Sequence, residues 1–237
     1  MQSSAVARDT EPNSKYDYKA RRDKARAMWM RVAARYQHVV VRFVVGVNTD
    51  VVRQASIEDE QRIHFDFMML PLEDRYDNLS NKTRAFFRAV AEHYPAVEFC
   101  AKMGGCVVLL YIVHVFDASP VQHGGLVADV LSGRIMRKMI LPNFGTLRAG
   151  GPEDTTLSWW LLASNATFFE DRRLCRLTCD DGTVALSDQE EQGFPLQYWD
   201  EVWRHEGCRR APPYPLPYVP VQSRKYPGLE KMHMLMV

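Results

Sequence analysis

Along its first hundred residues the chain alternates short β-branched apolar runs with stretches of helical periodicity, and this alternation leaves few folds open to it. His38–Val47, HVVVRFVVGV, is short and almost continuously apolar, as expected of a strand covered on both faces. Ahead of it, Ala25, Met28, Trp29, Val32, Ala33 and Tyr36 recur at i, i+3, i+4, i+7, i+8 and i+11, which is one face of a helix. After it, polar Asp50–Arg62 predicts a surface helix, and Phe65–Leu70 a second strand closed by Pro71. Thr83–His93 predicts a helix with Phe86, Phe87 and Val90 on one side, and Val97–Lys102 a third short strand. Strand–helix alternation of this kind predicts an α/β layered domain, with a mostly parallel central sheet flanked by helices.

Beyond residue 103 the pattern is less regular. Val107–Val115 is strand-like, and Leu126–Ile135 reads as another strand that Asp129 interrupts. Residues 142–152, PNFGTLRAGGP, form a Gly/Pro loop. Pro152-Glu153-Asp154 then reads as a helix start, with carboxylates in the first turn at the positive end of the helix dipole. Leu157, Trp160 and Leu161 give that helix its buried face. Asp181-Gly182 is a turn signal, and six of the 13 prolines follow Arg209, which predicts an extended tail. The expected organisation is a flexible arm over 1–18, one domain over 19–208 and a Pro-rich basic tail over 209–237. No internal repeat is visible.

Composition narrows the function classes. Of 237 residues, 46% are hydrophobic and 25% charged, which excludes a disordered or fibrous chain and allows a sizeable core. Lys+Arg 30 against Asp+Glu 29 gives +1, which excludes a generally basic nucleic-acid coat. The ends are basic and the body acidic: 1–40 is net +5, 209–237 net +4 and 41–208 net −8. The longest apolar run, Cys106–Phe116, has eleven residues with a His inside, against the about 20 that cross a bilayer. The first 15 residues lack an apolar stretch of the signal-peptide kind. If the chain is complete it is expected in the cytoplasm. The five cysteines are odd in number, and Cys175–Cys179 has neither a second pair nor a His cluster near it, so no zinc site is expected.

Three places could carry chemistry at the carboxyl ends of such a sheet. Arg21, Arg22 and Arg26 stand at a helix start, where guanidinium groups suit phosphate oxygens; a solvated helix face is the plain alternative. Lys102-Met103-Gly104-Gly105-Cys106 follows the third strand, and its glycines let a backbone approach a ligand or make a tight turn. Glu153-Asp154 could supply a general base or a helix cap. Sequons occur at Asn78, Asn81 and Asn165. GxSxG, HExxH, Walker A and GxGxxG motifs are absent.

Taken in order, ARRDKARAMW (20–29), RFVVG (42–46), DFMMLPLEDRYDNLSNKT (66–83), FCAKM (99–103), GRIM (133–136) and PEDTTLSWWLL (152–162) resemble the β-1,3-galactosyltransferase-like hexosyltransferases, glycosyltransferase family 31. The resemblance runs from about residue 19 to about residue 176. Asp74, Tyr76, Asn78, Leu79, Lys82 and Thr83 stand in family spacing and are its most specific part.

The resemblance implies a GT-A-like fold, incomplete here. It implies a hexose, of galactose or N-acetylglucosamine type, moved with inversion from a UDP-sugar donor to a hydroxyl of a glycan or glycoprotein acceptor. Arg21, Arg22, Arg26 and Lys102 would lie by the donor and Asp154, with Glu153 beside it, would be the base. One pocket is expected, with the arginines on one side and the acids on the other. Family membership also implies Mn²⁺, a Golgi location and an N-terminal membrane anchor.

The sequence departs from the family at three points. Gly104-Gly105-Cys106 replaces the acidic triplet that holds the metal, only 15 residues (137–151) separate GRIM from PEDT, and no anchor is visible. A non-catalytic pseudoenzyme or scaffold on the same fold is the alternative.

Overall fold

The apolar runs become strands. The computed structural model describes residues 18–34, 39–103, 106–108, 128–162, 164, 185–187, 200, 204 and 234–236. Within it the expected His38–Val47 strand divides at Arg42 into β1 (Val39–Val41) and β2 (Phe43–Val47). β2 runs parallel to β3 (Phe67–Glu73), Phe43 opposite Phe67 and Val45 opposite Met69. Pro71 does not close β3. A register shift between Val45 and Val47 places a bulge beside it, and β2 is the only described neighbour of β3. A proline is tolerated at such an edge because its missing N–H breaks no ladder bond.

The larger sheet has the order β1-β8-β4-β6. β4 (Phe99–Met103) and β8 (Met234–Met236) are parallel, as are β8 and β1, whereas β6 (Ala128–Ser132) is antiparallel to β4. Cys106–Val108 (β5) and Ala185–Ser187 (β7) form a separate antiparallel pair. The domain is therefore mixed α/β with small parallel sheets and antiparallel additions. Three residues of the region read as a tail supply β8, inside the sheet. Most of the arm, the tail, the Cys175–Cys179 pair, the Asn165 sequon and the end of the Val107–Val115 run lie outside the described residues.

Helix α1 (Tyr18–Ala25) continues through a π-helical turn, Arg26–Met30, into α2 (Arg31–Ala33). Ala25, Met28, Trp29 and Ala33 are buried, as their spacing predicts. Asp50 caps α3 (Val51–His64) by accepting from the Val52 and Arg53 amides. This is the expected surface helix; Glu60 is its one buried residue. α4 (Leu79–His93) begins four residues before Thr83. The expected strand Leu126–Ile135 ends at Ser132, which caps α5 (Gly133–Ile135) through its hydroxyl. A Cβ on Gly133 would meet the Val97 carbonyl oxygen at 1.9 Å, so only glycine allows that turn to close against the chain entering β4. A second π-helical turn, Met136–Ile140, follows, and α6 spans Glu153–Leu162.

The core lies where α4, α6 and the Met136–Ile140 turn meet β4 and β6. Phe86, Phe87, Val90, Leu131, Met136, Ile140 and Leu161 are almost fully buried there, each worth about 1.5–3 kcal/mol of transfer free energy. On α6 the expected Leu157, Trp160 and Leu161 point inward, while Trp159 and Leu162 are exposed. Among the described residues no helix is long and apolar enough to cross a membrane.

Candidate active site

Arg22 and Arg26 come first in the chain and are engaged by carboxylates. Arg22 makes a two-pronged contact with Glu60, at 2.8 and 2.7 Å. Arg26 reaches Asp66 at 2.7 and 3.0 Å, Glu60 at 2.7 Å and Asp23 at 2.7 Å. Both guanidinium groups also stack over aromatic faces: Arg22 lies 5.3 Å from the Phe67 ring centre and Arg26 5.0 Å from that of Phe43. Phe43 and Phe67 open β2 and β3, so this network ties α1 and its π-helical turn to the amino ends of those strands. Arg21 shares helix α1 with Arg22.

The carboxyl ends of the same strands carry a second cluster. Asp74 follows β3 and accepts from Lys82 on both oxygens at 2.7 Å. It also accepts from the Gly46 amide at 3.0 Å. A Cβ on Gly46 would sit 2.6 Å from the Leu72 carbonyl oxygen, which explains why the RFVVG run ends in glycine. Asn78 donates to the Glu73 carbonyl at 2.8 Å and accepts from Asn81 at 2.9 Å. An open cleft of about 380 Å³ lies against this knot, lined by Asn48, Thr49, Glu73, Asp74, Arg75, Tyr76 and Asp77.

Glu153 stands one helix face away. Its Oε1 accepts from Lys102 Nζ at 2.7 Å and its Oε2 from the Thr83 hydroxyl at 3.1 Å. The pair is mostly buried, at 17% exposure for the Lys102 side chain and 15% for Glu153. Lys102 and Glu153, read from sequence as members of two separate places, therefore form one site. Asp154 is the second residue of α6; its side chain is outside the described set. Ser80 donates to the Gly151 carbonyl at 2.7 Å and Arg84 to that of Leu147 at 2.5 Å. Thr156 closes the same loop by donating to the Gly150 carbonyl at 2.5 Å.

Arg22 and Arg26 lie apart from Glu153 along β3. Arg22 and Arg26 sit at the amino end of β3. Lys82 and Thr83, next to Glu153, sit at its carboxyl end. Seven residues at about 3.3 Å each separate the two groups by roughly 20 Å. The reason is electrostatic: Glu60 and Asp66 hold the guanidinium groups at the far end of the strand pair, and sequence spacing gives no sign of such long-range partners.

The position where the family carries its metal-binding acids does not suit Mn²⁺. Gly104 and Gly105 have no side-chain donor, and Cys106 offers a soft sulfur where a hard cation prefers oxygen. Among the described residues no three His, Cys, Asp or Glu side chains gather as a metal set.

Sequence reading missed Ser80, Thr83, Arg84, Glu60 and Asp66 as site-builders. A signal existed for the first three. They fall at i, i+3 and i+4, a polar stripe on a helix whose neighbouring face is Phe86, Phe87 and Val90. Ser80 and Thr83 are 4% and 1% exposed, which only packing reveals.

Comparison with known proteins covers the same segments. The family model described as Galactosyltransferase matches residues 20–113, from α1 through β5. A protein named probable beta-1,3-galactosyltransferase 12, from Arabidopsis thaliana, is 24% identical over 222 residues, 73% of this chain and 57% of that protein. Probable beta-1,3-galactosyltransferase 13 of the same plant is 23% identical over 75% of this chain and 63% of its own length. Probable beta-1,3-galactosyltransferase 8, also from Arabidopsis thaliana, is 33% identical over 99 residues, 38% of this chain. The chain thus spans about three-fifths of the first two of these relatives. Residues 20–113, which contain every partner of Glu153 named above, match the Galactosyltransferase family model, and the chain is similar to the plant proteins named as probable β-1,3-galactosyltransferases.

Proposed function

We propose that the chain is a hexosyltransferase that moves a galactose- or N-acetylglucosamine-type hexose from a UDP-sugar to a hydroxyl of a glycan or glycoprotein acceptor, with inversion. One observation carries this reading. Three separate family-like segments, NKT (81–83), FCAKM (99–103) and PEDTT (152–156), meet at the Glu153 carboxylate. Convergence at the carboxyl ends of β3 and β4 is where an α/β sheet places its ligands.

In this reading the donor lies in the cleft lined by Asn48, Thr49 and Glu73 to Asp77. Asp154 takes the proton from the acceptor hydroxyl as that oxygen attacks the anomeric carbon from the face opposite the leaving UDP. Arg21, Arg22 and Arg26 enter as the group that fixes α1 against β2 and β3; the carboxylates on Arg22 and Arg26 keep them from serving as phosphate ligands. A Golgi location and an association with membrane belong to the same proposal.

The Gly104-Gly105-Cys106 replacement favours a second reading, a non-catalytic relative on the same fold. Turnover decides between them. Purified protein is incubated with UDP-galactose or UDP-N-acetylglucosamine and glycan acceptors, and released UDP is measured in wild type and Asp154→Asn. Release that disappears in Asp154→Asn supports the enzyme. No release from wild type across donors and acceptors overturns it in favour of the non-catalytic relative.

A further inference from the structure

We infer that Glu153 is an anchor, and that Lys102 and Thr83 are positioning residues that fix the first turn of α6, and with it Asp154, at the carboxyl end of β4. This rests on the hexosyltransferase reading and goes further by dividing the Glu153-Asp154 pair into two roles.

The geometry around Glu153 is that of an anchor. Each oxygen already accepts a hydrogen bond, one from a cation at 2.7 Å and one from a hydroxyl at 3.1 Å, and the side chain is mostly buried. To take a proton from a substrate it would have to give up or share a contact that joins two elements. Thr83 itself is 1% exposed, so it is not aimed at solvent or ligand. Its hydroxyl serves the carboxylate.

The surrounding contacts act on the same few residues. Ser80, Thr83 and Arg84, on one stripe of α4, hold the Gly151 carbonyl, the Glu153 side chain and the Leu147 carbonyl. Trp160 donates from its indole to the Arg148 carbonyl at 2.7 Å. The loop entering α6 is therefore pinned from α4 on one side and from α6 itself on the other, and Lys102 adds a tie to β4. A base must be held within hydrogen-bond reach of its proton, and a displacement of about 1 Å can cost about 100-fold in rate. The adjacent residue in the same helical turn inherits whatever precision this clamp provides.

The test compares Lys102→Met, Lys102→Arg, Thr83→Val, Glu153→Gln and Asp154→Asn in the full chain, by steady-state kinetics and by hydrogen exchange. Lys102→Met is expected to lower kcat by about 100-fold while KM for the UDP-sugar moves less than about 2-fold. Lys102→Arg keeps the ion pair and is expected to recover most of that loss. Glu153→Gln, whose Oε1 can still accept from Lys102 while its Nε2 donates to the Thr83 hydroxyl, should lose on the order of 10-fold, far less than Asp154→Asn. Amides 154–156 should exchange faster in Lys102→Met and Thr83→Val, with α4 and β4 unchanged.

Glu153→Gln as inactive as Asp154→Asn overturns the division of roles, as does Lys102→Met with unchanged kcat or unchanged exchange. Active wild type together with either result leaves the hexosyltransferase reading standing and removes only this one. Wild type without turnover removes both.

Discussion

Glu60 is 3% exposed between two guanidinium groups. Burial by itself would raise its pKa, but the hydrogen bonds from Arg22 and Arg26 outweigh it and hold the carboxyl below its usual 4.5. The folded value lies under the unfolded one, so its contribution is complete above about pH 4.5 and is lost as pH falls through the depressed folded value. Urea midpoints at pH 7 and pH 3 should therefore differ more for wild type than for Glu60→Gln. Glu60→Ala takes the carboxylate from the mostly buried Arg22 and leaves Arg26 with Asp66 and Asp23 alone, and should cost about 3 kcal/mol at neutral pH. Gly133→Ala should cost about 3 kcal/mol or prevent folding, because the Val97 carbonyl it would strike is backbone entering β4. Phe65 runs the other way. It ends α3 at φ +54° with its ring 72% exposed, and Phe65→Gly should raise stability by about 1 kcal/mol, read as a higher thermal midpoint.

At the scale of elements, α4 does two jobs with adjacent faces. Phe86, Phe87 and Val90 fill the core, and Ser80, Thr83 and Arg84 grip the α6 loop. Phe87→Ala should cost about 3–5 kcal/mol in chemical denaturation, since the ring is completely buried. That loss should shift the whole unfolding curve, whereas Thr83→Val should act mainly on the α6 turn. The first π-helical turn overlaps the end of the ARRDKARAMW segment and the second begins at the last residue of GRIM. Wide turns of this kind are often found at functional sites; here the first carries Arg26 toward Asp66 and the second brings Met136 and Ile140 into the core.

Across the whole molecule, β8 joins what the chain order separates. Met234–Met236 pairs with β1 on one side and β4 on the other. A chain ending at residue 231 would leave β1 without its described partner and β4 open on the side away from β6. It should unfold at lower temperature and expose the β4 edge next to Lys102, which far-UV circular dichroism and thermal melting would detect.

Local elements were legible from the amino-acid order because periodicity and capping act within a few residues. The α1 face, the α3 surface helix, the apolar side of α6 and the segments from RFVVG to PEDTT all follow from nearest neighbours along the chain. The split of His38–Val47 at Arg42, the passage of β3 through Pro71 and the place of β8 did not, because each depends on which distant strand lies alongside. The candidate residues divide in the same way. Side-chain type marked Arg22, Arg26, Lys102 and Glu153 as chemically capable. Only folding decided that Glu60 and Asp66 would take the arginines, and that Lys102 and Thr83 would close on Glu153. Charge pairing and hydrogen bonding act through space, across 38 residues between Arg22 and Glu60 and 70 between Thr83 and Glu153.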